Sequence, residues 1–237
     1  MKTRRLPFPF NHYFLLRNSR PRPSRSITEE EIATSEAALD ELSYLFGEGD
    51  NHWILGGGMA IAIHAGTYYR THYDLDILVE AREFCSLISS AERKGYMLCQ
   101  RVFSEHFATN LTIQLVRTVD VRQARKSGYA RLELIRLDAD DSPASDFMSV
   151  IDVCVFYRND GLITRHDGKI SLPKTEFYCL RHITKSGRIM NVVSLAYLNA
   201  VKSRRHGSID RLDLQVIREL QSRSIAPDSV RISQYVP

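Results

Sequence analysis

An α/β (α+β) fold closed by a helical C-terminal half is predicted by three features of the 237-residue sequence. Up to about residue 170, short β-branched or alternating runs take turns with segments of helical period. A glycine triplet, Gly56-Gly57-Gly58, joins a buried apolar run to a small-residue helix. From Lys174 onward the apolar spacing becomes that of helices. Composition agrees with a folded core, since 43% of residues are apolar and 25% charged.

Other classes fall away at the same stage. No run approaches the roughly 18 apolar residues of a membrane span, so no membrane association is expected. The start is basic and then apolar, but Pro7 and Pro9 interrupt it and no small-residue cleavage site follows, so a secretory signal is not expected. Cys85, Cys99, Cys154 and Cys179 form no C-x-x-C pair. Reduced thiols are expected rather than a zinc or disulfide framework, which fits a cytoplasmic protein.

The elements follow in chain order. Residues 1–27 form a basic N-terminal arm: Lys2, Arg4, Arg5, Arg17, Arg20, Arg22 and Arg25 occur without an acid, punctuated by prolines. The arm lies on the domain through Phe8, Phe10, Tyr13 and Phe14, or is free in solution. The whole chain carries 32 Lys+Arg against 28 Asp+Glu, a net charge of +4, so these seven charges exceed the total and leave the remainder slightly acidic. Such an arm solubilises the chain or contacts nucleic acid.

Thr28 and Glu31 form a capping-box pattern ahead of Ile32, Leu39, Leu42 and Leu45, a helix that Gly47 can end. His52–Leu55 reads as a buried strand, residues 59–65 as a short packed helix, and Asp74–Val79 as a strand. Residues 81–93 form a helix with Phe84, Leu87, Ile88 and Ala91 inward. Strands are expected over 96–102, 107–119, 129–137 and 150–157, with an acidic turn from Asp138 to Asp146 between the last two. Asn159-Asp160-Gly161 and His166-Asp167-Gly168 punctuate a hairpin-like region. Helices are expected near 174–185, 189–203 and 208–222. The last starts at Ser208 and carries Ile209, Leu212, Val216, Ile217 and Leu220 on one side.

Chemistry concentrates in two places. Glycines between a strand and a helix let backbone approach a phosphate, and the free N–H groups at the helix start point towards it. The triplet lacks the Lys-Ser/Thr of a P-loop and the spacing of a dinucleotide site. Asp74 and Asp76, two apart on a strand, leave by the same face while Leu75 and Ile77 point into the core. Carboxylates so placed repel unless a cation joins them, and Mg²⁺ suits hard oxygen ligands. If the strand extends backwards, Arg70 and His72 share that face. Asp152, alone in the apolar run Val150–Val155, would be costly unless paired or metal-bound, and makes a third carboxylate if its strand neighbours 74–79. Glu133, in the alternating run RLELIRL, is its best rival.

Single polar and aromatic residues remain open. His64 reads as a core or supporting histidine. Tyr68-Tyr69 stack on a base or pack the helix, and Trp53 is expected in the core. Lys202, Arg204 and Arg205 serve a triphosphate or form a solvated helix end.

The segments GGGMAIAIH and RTHYDLDILV resemble the nucleotidyltransferase superfamily. The nearest likeness is to its minimal branch of lincosamide-type antibiotic nucleotidyltransferases and abortive-infection nucleotidyltransferase toxins. The resemblance implies a mixed sheet followed by a helical part, with the site in the cleft between them. It implies a catalytic domain over 28–170 and a helical subdomain over 171–237. Gly57 and Gly58 match the phosphate-binding pair, and Asp74, Asp76 and Asp152 match the catalytic, metal-binding acids. Arg70 and His64 match positions often occupied in the same way.

In the helical half, Asp210 and Asp213-Leu214 fit the relatives' pattern, and Arg204 or Arg205 stands for their arginine. Ile209 replaces their lysine, and Lys202 falls later than their usual helix lysine. Lys202 and Arg205 join Gly57, Gly58 and Arg70 as the implied nucleotide-binding set. The implied activity transfers a nucleoside monophosphate from an NTP, with Mg²⁺ or Mn²⁺, to a hydroxyl. The acceptor is an RNA such as tRNA, reached through the basic arm, or else an antibiotic or a protein. A cognate antitoxin is an implied partner of the toxin-like reading, and a decayed nucleic-acid binder is the non-catalytic alternative.

Overall fold

The computed structural model describes residues 2–6, 12–19, 27–47, 53–72, 74–106, 111–139, 150–184 and 186–225. In chain order the elements are β1 (Lys2–Arg5), β2 (Tyr13–Ser19), α1 (Glu29–Phe46), β3 (Trp53–Leu55), α2 (Gly57–Ala65), β4 (Leu75–Glu80), α3 (Phe84–Arg93), β5 (Tyr96–His106), β6 (Leu111–Thr118) and α4 (Val121–Lys126). They continue as β7 (Leu132–Arg136), β8 (Val150–Asn159), β9 (Leu162–Arg165), β10 (Ser171–Pro173), α5 (Lys174–Phe177), β11 (Tyr178–Ile183), β12 (Ile189–Val193), α6 (Leu195–Lys202) and α7 (Ser208–Ile225).

One mixed sheet organises the chain, in the order β1-β2-β6-β5-β7-β8-β4-β3-β12-β11, with β9 and β10 attached beside β8. β4 and β8 run parallel, as do β12 and β3, and the other pairs are antiparallel. α1 packs with α3, whereas α2, α6 and α7 pack together.

Local chemistry explains most boundaries. Thr28 Oγ1 accepts from the Glu31 N–H at 3.2 Å while the Glu31 carboxylate accepts from the Thr28 N–H at 2.9 Å, so the expected capping box starts α1. Leu39, Leu42 and Leu45 are buried from that helix, and Trp53 is buried with its Nε1 donating to the Gly47 carbonyl at 3.1 Å. The main core gathers these with Ile54, Ile61, Ile77, Ile88 and Phe156. A second core of Phe14, Leu16, Cys99, Val116 and Ile135 lies towards the N-terminal side of the sheet.

Several expectations are corrected. β4 begins at Leu75, so Arg70 and His72 do not extend it. The predicted strand over 129–137 starts only at Leu132, and α4 precedes it with its own Asp120–Gln123 capping box. The predicted helix over 174–185 stops after one turn and continues as β11. The one predicted over 189–203 begins as β12 and becomes helical at Leu195, after Ser194 Oγ accepts from the Tyr197 N–H at 3.0 Å. Tertiary pairing decides these cases, since Met190, Val192 and Val193 are buried and Val192 lies opposite Leu55.

Part of the N-terminal arm is laid on the domain. β2 pairs with β6 along its whole length, and Phe14 and Leu16 are 1% exposed. Burying two such side chains contributes about 1.5–3 kcal/mol each. Phe8, Phe10 and residues 20–26 lie outside the described residues, as does the acidic turn expected over Asp138–Asp146 from residue 140 onward. The C-terminal part is largely helical, and it returns β11 and β12 to the sheet. No helix among the described residues is long and apolar enough to cross a membrane.

Candidate functional site

The sheet register draws the acids into one row. Asp76 on β4 lies opposite Asp152 on β8, Asp152 opposite Glu133 on β7, and Glu133 opposite Cys99 on β5. Residues in register on neighbouring strands share a face and lie about 4.8 Å apart. Asp152 therefore sits on the adjacent strand and the expected face, with Glu133 one strand further. Asp74 immediately precedes β4. Burial, then the charges of Asp74 and Asp152, raise the Asp76 carboxyl to about 7. Burial also raises Asp152, and burial with the Asp152 charge raises Glu133 to about 8.

Arg101, which no sequence pattern singles out, joins two members of the row. From β5 its Nη2 donates to Asp152 Oδ1 at 2.6 Å, and its guanidinium also donates to Glu133 Oε1. Glu133 is 0% exposed, and its Oε2 has no hydrogen-bond partner. Among the described residues, no group of three or more His, Cys, Asp or Glu side chains forms a metal-holding set.

The glycine turn is shaped by what it touches. Gly57 has φ +61°, and a Cβ there would lie 1.7 Å from Asp76 Oδ2. A Cβ on Gly58 would lie 2.0 Å from Arg70 Nη2 and 2.9 Å from His72 Cε1. The Gly56 N–H donates to the Asp76 carbonyl at 2.8 Å. The start of α2 is thus pressed against the Asp76 carboxylate, with the positive end of the helix dipole towards it.

Asp213 on α7 is a second hub. Arg70 holds it with two hydrogen bonds, Nε to Oδ1 at 2.7 Å and Nη2 to Oδ2 at 3.0 Å. Tyr69 Oη donates to Oδ1 at 2.8 Å, and Lys202 Nζ lies 2.7 Å from Oδ2 and 3.0 Å from Asp210 Oδ1. Burial alone would push the Asp213 carboxyl up. The Arg70 hydrogen bonds and charge, with Lys202, reverse that and hold it at about 2. Arg70 therefore ties the segment before β4 to α7, and its guanidinium is fully engaged.

A cleft of about 250 Å³ opens beside these groups, lined by Gly57, Asp76, Arg101, Asp152, Lys202 and Arg205. Arg131 and the Arg165–Asp167 ion pair border it as well. Five cations thus face three carboxylates (Asp76, Asp152 and Asp167), a balance suited to a polyanion. Arg131 and Arg205 make no ion pair among the described residues. Of the expected nucleotide-binding set, Gly57, Lys202 and Arg205 line the cleft, while Gly58 and Arg70 sit behind it. Arg131 comes from a turn in which Gly128, Tyr129 and Arg131 all have positive φ, held by the Arg101 N–H donating to the Arg131 carbonyl at 2.9 Å.

The remaining candidates have structural partners. His64 Nε2 hydrogen-bonds the Val193 carbonyl at 2.8 Å, and burial lowers its pKa. His72 is buried and pushed down to about 3, by burial first and then by Arg70. Tyr68 donates to Glu36 Oε1 at 2.5 Å and Tyr69 to Asp213, so both rings pack the fold. Cys154 faces the cleft 3.8 Å from His166 Nδ1, but burial pushes its thiol up to about 12. That disfavours the thiolate a nucleophile would need.

No family model matches the chain, and no curated protein matches it. Among solved structures, the chain is similar to the lincomycin-bound lincosamide antibiotic adenylyltransferase LnuA, at 17% identity and TM-score 0.47, covering 83% of this chain and 99% of that one. An antigenic nucleotidyltransferase-like protein from Paracoccidioides brasiliensis matches at 11% identity and TM-score 0.40, over 82% of this chain and 78% of its own. ANT(2'')-Ia in complex with adenylyl-2''-tobramycin matches at 12% identity and TM-score 0.38, over 83% of this chain and 99% of its own.

Proposed function

We propose that the chain is a nucleotidyltransferase, moving a nucleoside monophosphate from an NTP to a hydroxyl with release of pyrophosphate. The observation that carries this reading is the contact between Gly57 and the Asp76 carboxylate, made beside Asp152 in a cleft ringed by cations. Backbone N–H groups and a carboxylate pair meet there at one spot, which is what binding a metal-chelated triphosphate requires.

Asp74 and Asp76 would hold Mg²⁺ or Mn²⁺. Their hard oxygens, the like-charge crowding that raises Asp76 and the glycine cradle against it all suit such an ion. When bound, the ion would neutralise the triphosphate and favour displacement at the α-phosphorus. Gly57 seats phosphate oxygens on backbone N–H groups at the start of α2, with Gly58 packed behind it against Arg70. Lys202 and Arg205 offset the charge that develops on the leaving pyrophosphate. The acceptor oxygen forms a bond to the α-phosphorus as the bond to the β-phosphate bridging oxygen breaks, and Asp152 accepts the hydroxyl proton. Arg70 acts through Asp213, keeping α7 and Lys202 in place beside the cleft. On this reading, residues 28–170 carry the catalytic acids with Arg101, Arg131 and Arg165, and residues 171–237 add Lys202 and Arg205.

An RNA end is the acceptor we favour. Lys2, Arg4 and Arg5 lie on β1, the edge strand of the same sheet, where a polyanion can be gathered. The test is incubation with each α-labelled NTP, Mg²⁺ and total RNA, followed by separation of RNA, protein and small-molecule products. Label in RNA is expected. Label in a small molecule or in protein would change the acceptor, and no Asp76-dependent label anywhere would overturn the reading.

A further inference from the structure

Arg101 reaches from β5 to two carboxylates on two neighbouring strands. Asp152 and Glu133 are cross-strand neighbours on one face of the sheet; burial with the Asp152 charge keeps Glu133 protonated, so Asp152 is the carboxylate that calls for a cation. The cation present belongs to the protein: one guanidinium donates to Asp152 Oδ1 and to Glu133 Oε1. Glu133 is fully buried on β7 and cannot leave with solvent, so Arg101 is anchored from behind and reaches forward to Asp152. The fork geometry of guanidinium matches two carboxylate oxygens, which a lysine ammonium at that place would not.

We propose that Arg101 is a built-in second cation, so that the site takes one divalent ion, on Asp74 and Asp76, and not two. This rests on the nucleotidyltransferase reading and deepens it. Asp152 is steered by the arginine towards the acceptor side, making Arg101 a positioning residue. Its fixed positive charge does for Asp152 what a second metal would do, with no dependence on metal concentration.

The test counts ions on the full chain. Mn²⁺ bound per chain is measured by equilibrium dialysis, with α,β-methylene ATP saturating and a protein-free nucleotide control. Electron paramagnetic resonance reports whether bound ions are coupled. One uncoupled Mn²⁺ is expected for the wild type. Arg101→Met leaves Asp152 and Glu133 facing each other and should bind two ions, with the signal of a coupled pair. Arg101→Met/Glu133→Gln keeps the buried neighbour neutral while freeing Asp152; it should also bind two ions, and serves if the single variant folds poorly.

Two ions on the wild type would overturn the inference and leave the nucleotidyltransferase reading standing. A count of one in a folded Arg101→Met would also overturn it. No Mn²⁺ beyond the nucleotide control on the wild type would overturn the nucleotidyltransferase reading itself.

Discussion

Asp76 and Asp152 face each other across a parallel strand pair although 76 residues of chain separate them, and Gly57 fits beneath Asp76 only because it has no side chain. The site is therefore assembled by the register of β4 on β8 and sealed by a backbone approach that a methyl group would block. Substitution at each contact has a distinct expected signature.

Gly57→Ala should cripple the site and destabilise the fold together. The positive φ costs an alanine about 1–2 kcal/mol, and the Cβ would collide with Asp76 Oδ2. A melting temperature lowered by several degrees is expected, with NTP turnover reduced at least a hundredfold. Near-normal melting and turnover would remove the close approach from the argument.

Asp76→Asn should abolish turnover without lowering stability, because it relieves a crowded like charge. The pH dependence has a worked sign. The folded-state pKa of Asp76 is raised from 3.8 to about 7, and that of Glu133 from 4.5 to about 8. The unfolded chain ionises first as pH rises, so metal-free stability falls between roughly pH 4 and 8. Thermal melting across that range should show the decline in the wild type and a shallower one in Asp76→Asn.

Asp213→Ala should be among the most destabilising single changes. It strands Arg70 and Lys202 in a buried site, and breaking such a network costs about 3–5 kcal/mol. The acid limb runs the other way from Asp76. Asp213 is held down at about 2 against the ordinary 3.8, so the stability it gives above pH 4 is lost as pH falls towards 2. Urea unfolding at pH 7 and at pH 3 should show the variant's deficit shrinking in acid.

Charge on β1 and the packing of β2 should separate experimentally. Lys2→Gln/Arg4→Gln/Arg5→Gln should weaken RNA binding about tenfold at low salt and flatten its salt dependence, with little effect on melting or on NTP affinity. Phe14→Ala should instead lower stability, by the roughly 3–5 kcal/mol typical of truncating a buried phenylalanine, and leave the salt slope alone. Unchanged RNA affinity across a salt series for the triple variant would remove the basis for favouring RNA.

Much of this was legible in the sequence, because it depends on local spacing. The strand that carries Asp76, the Thr28–Glu31 box and the glycine triplet each express a rule that operates within a few residues, whereas Asp74, expected on that strand, lies just before it. Arg101 was not legible. It reaches two carboxylates on two other strands from β5, and only the register of those strands, with the irregularity after Arg101, says which side chains it meets. β11 and β12 were misread as helix because short apolar runs such as Ile189–Val193 fit either period, and what settles them is a parallel partner more than 130 residues away. Arg131 escaped notice for a similar reason, since nothing in its neighbours announces a left-handed backbone.

The parallel pairing of β12 with β3 also bears on how the chain comes off the ribosome. β3 waits for a neighbour made more than 130 residues later, and Arg70 waits for Asp213. A nascent chain can form its hairpins early, but it cannot close the cleft until almost the last helix has emerged. Synthesis thus completes the cleft only once α7 has emerged, and chains interrupted before it should be open to proteolysis.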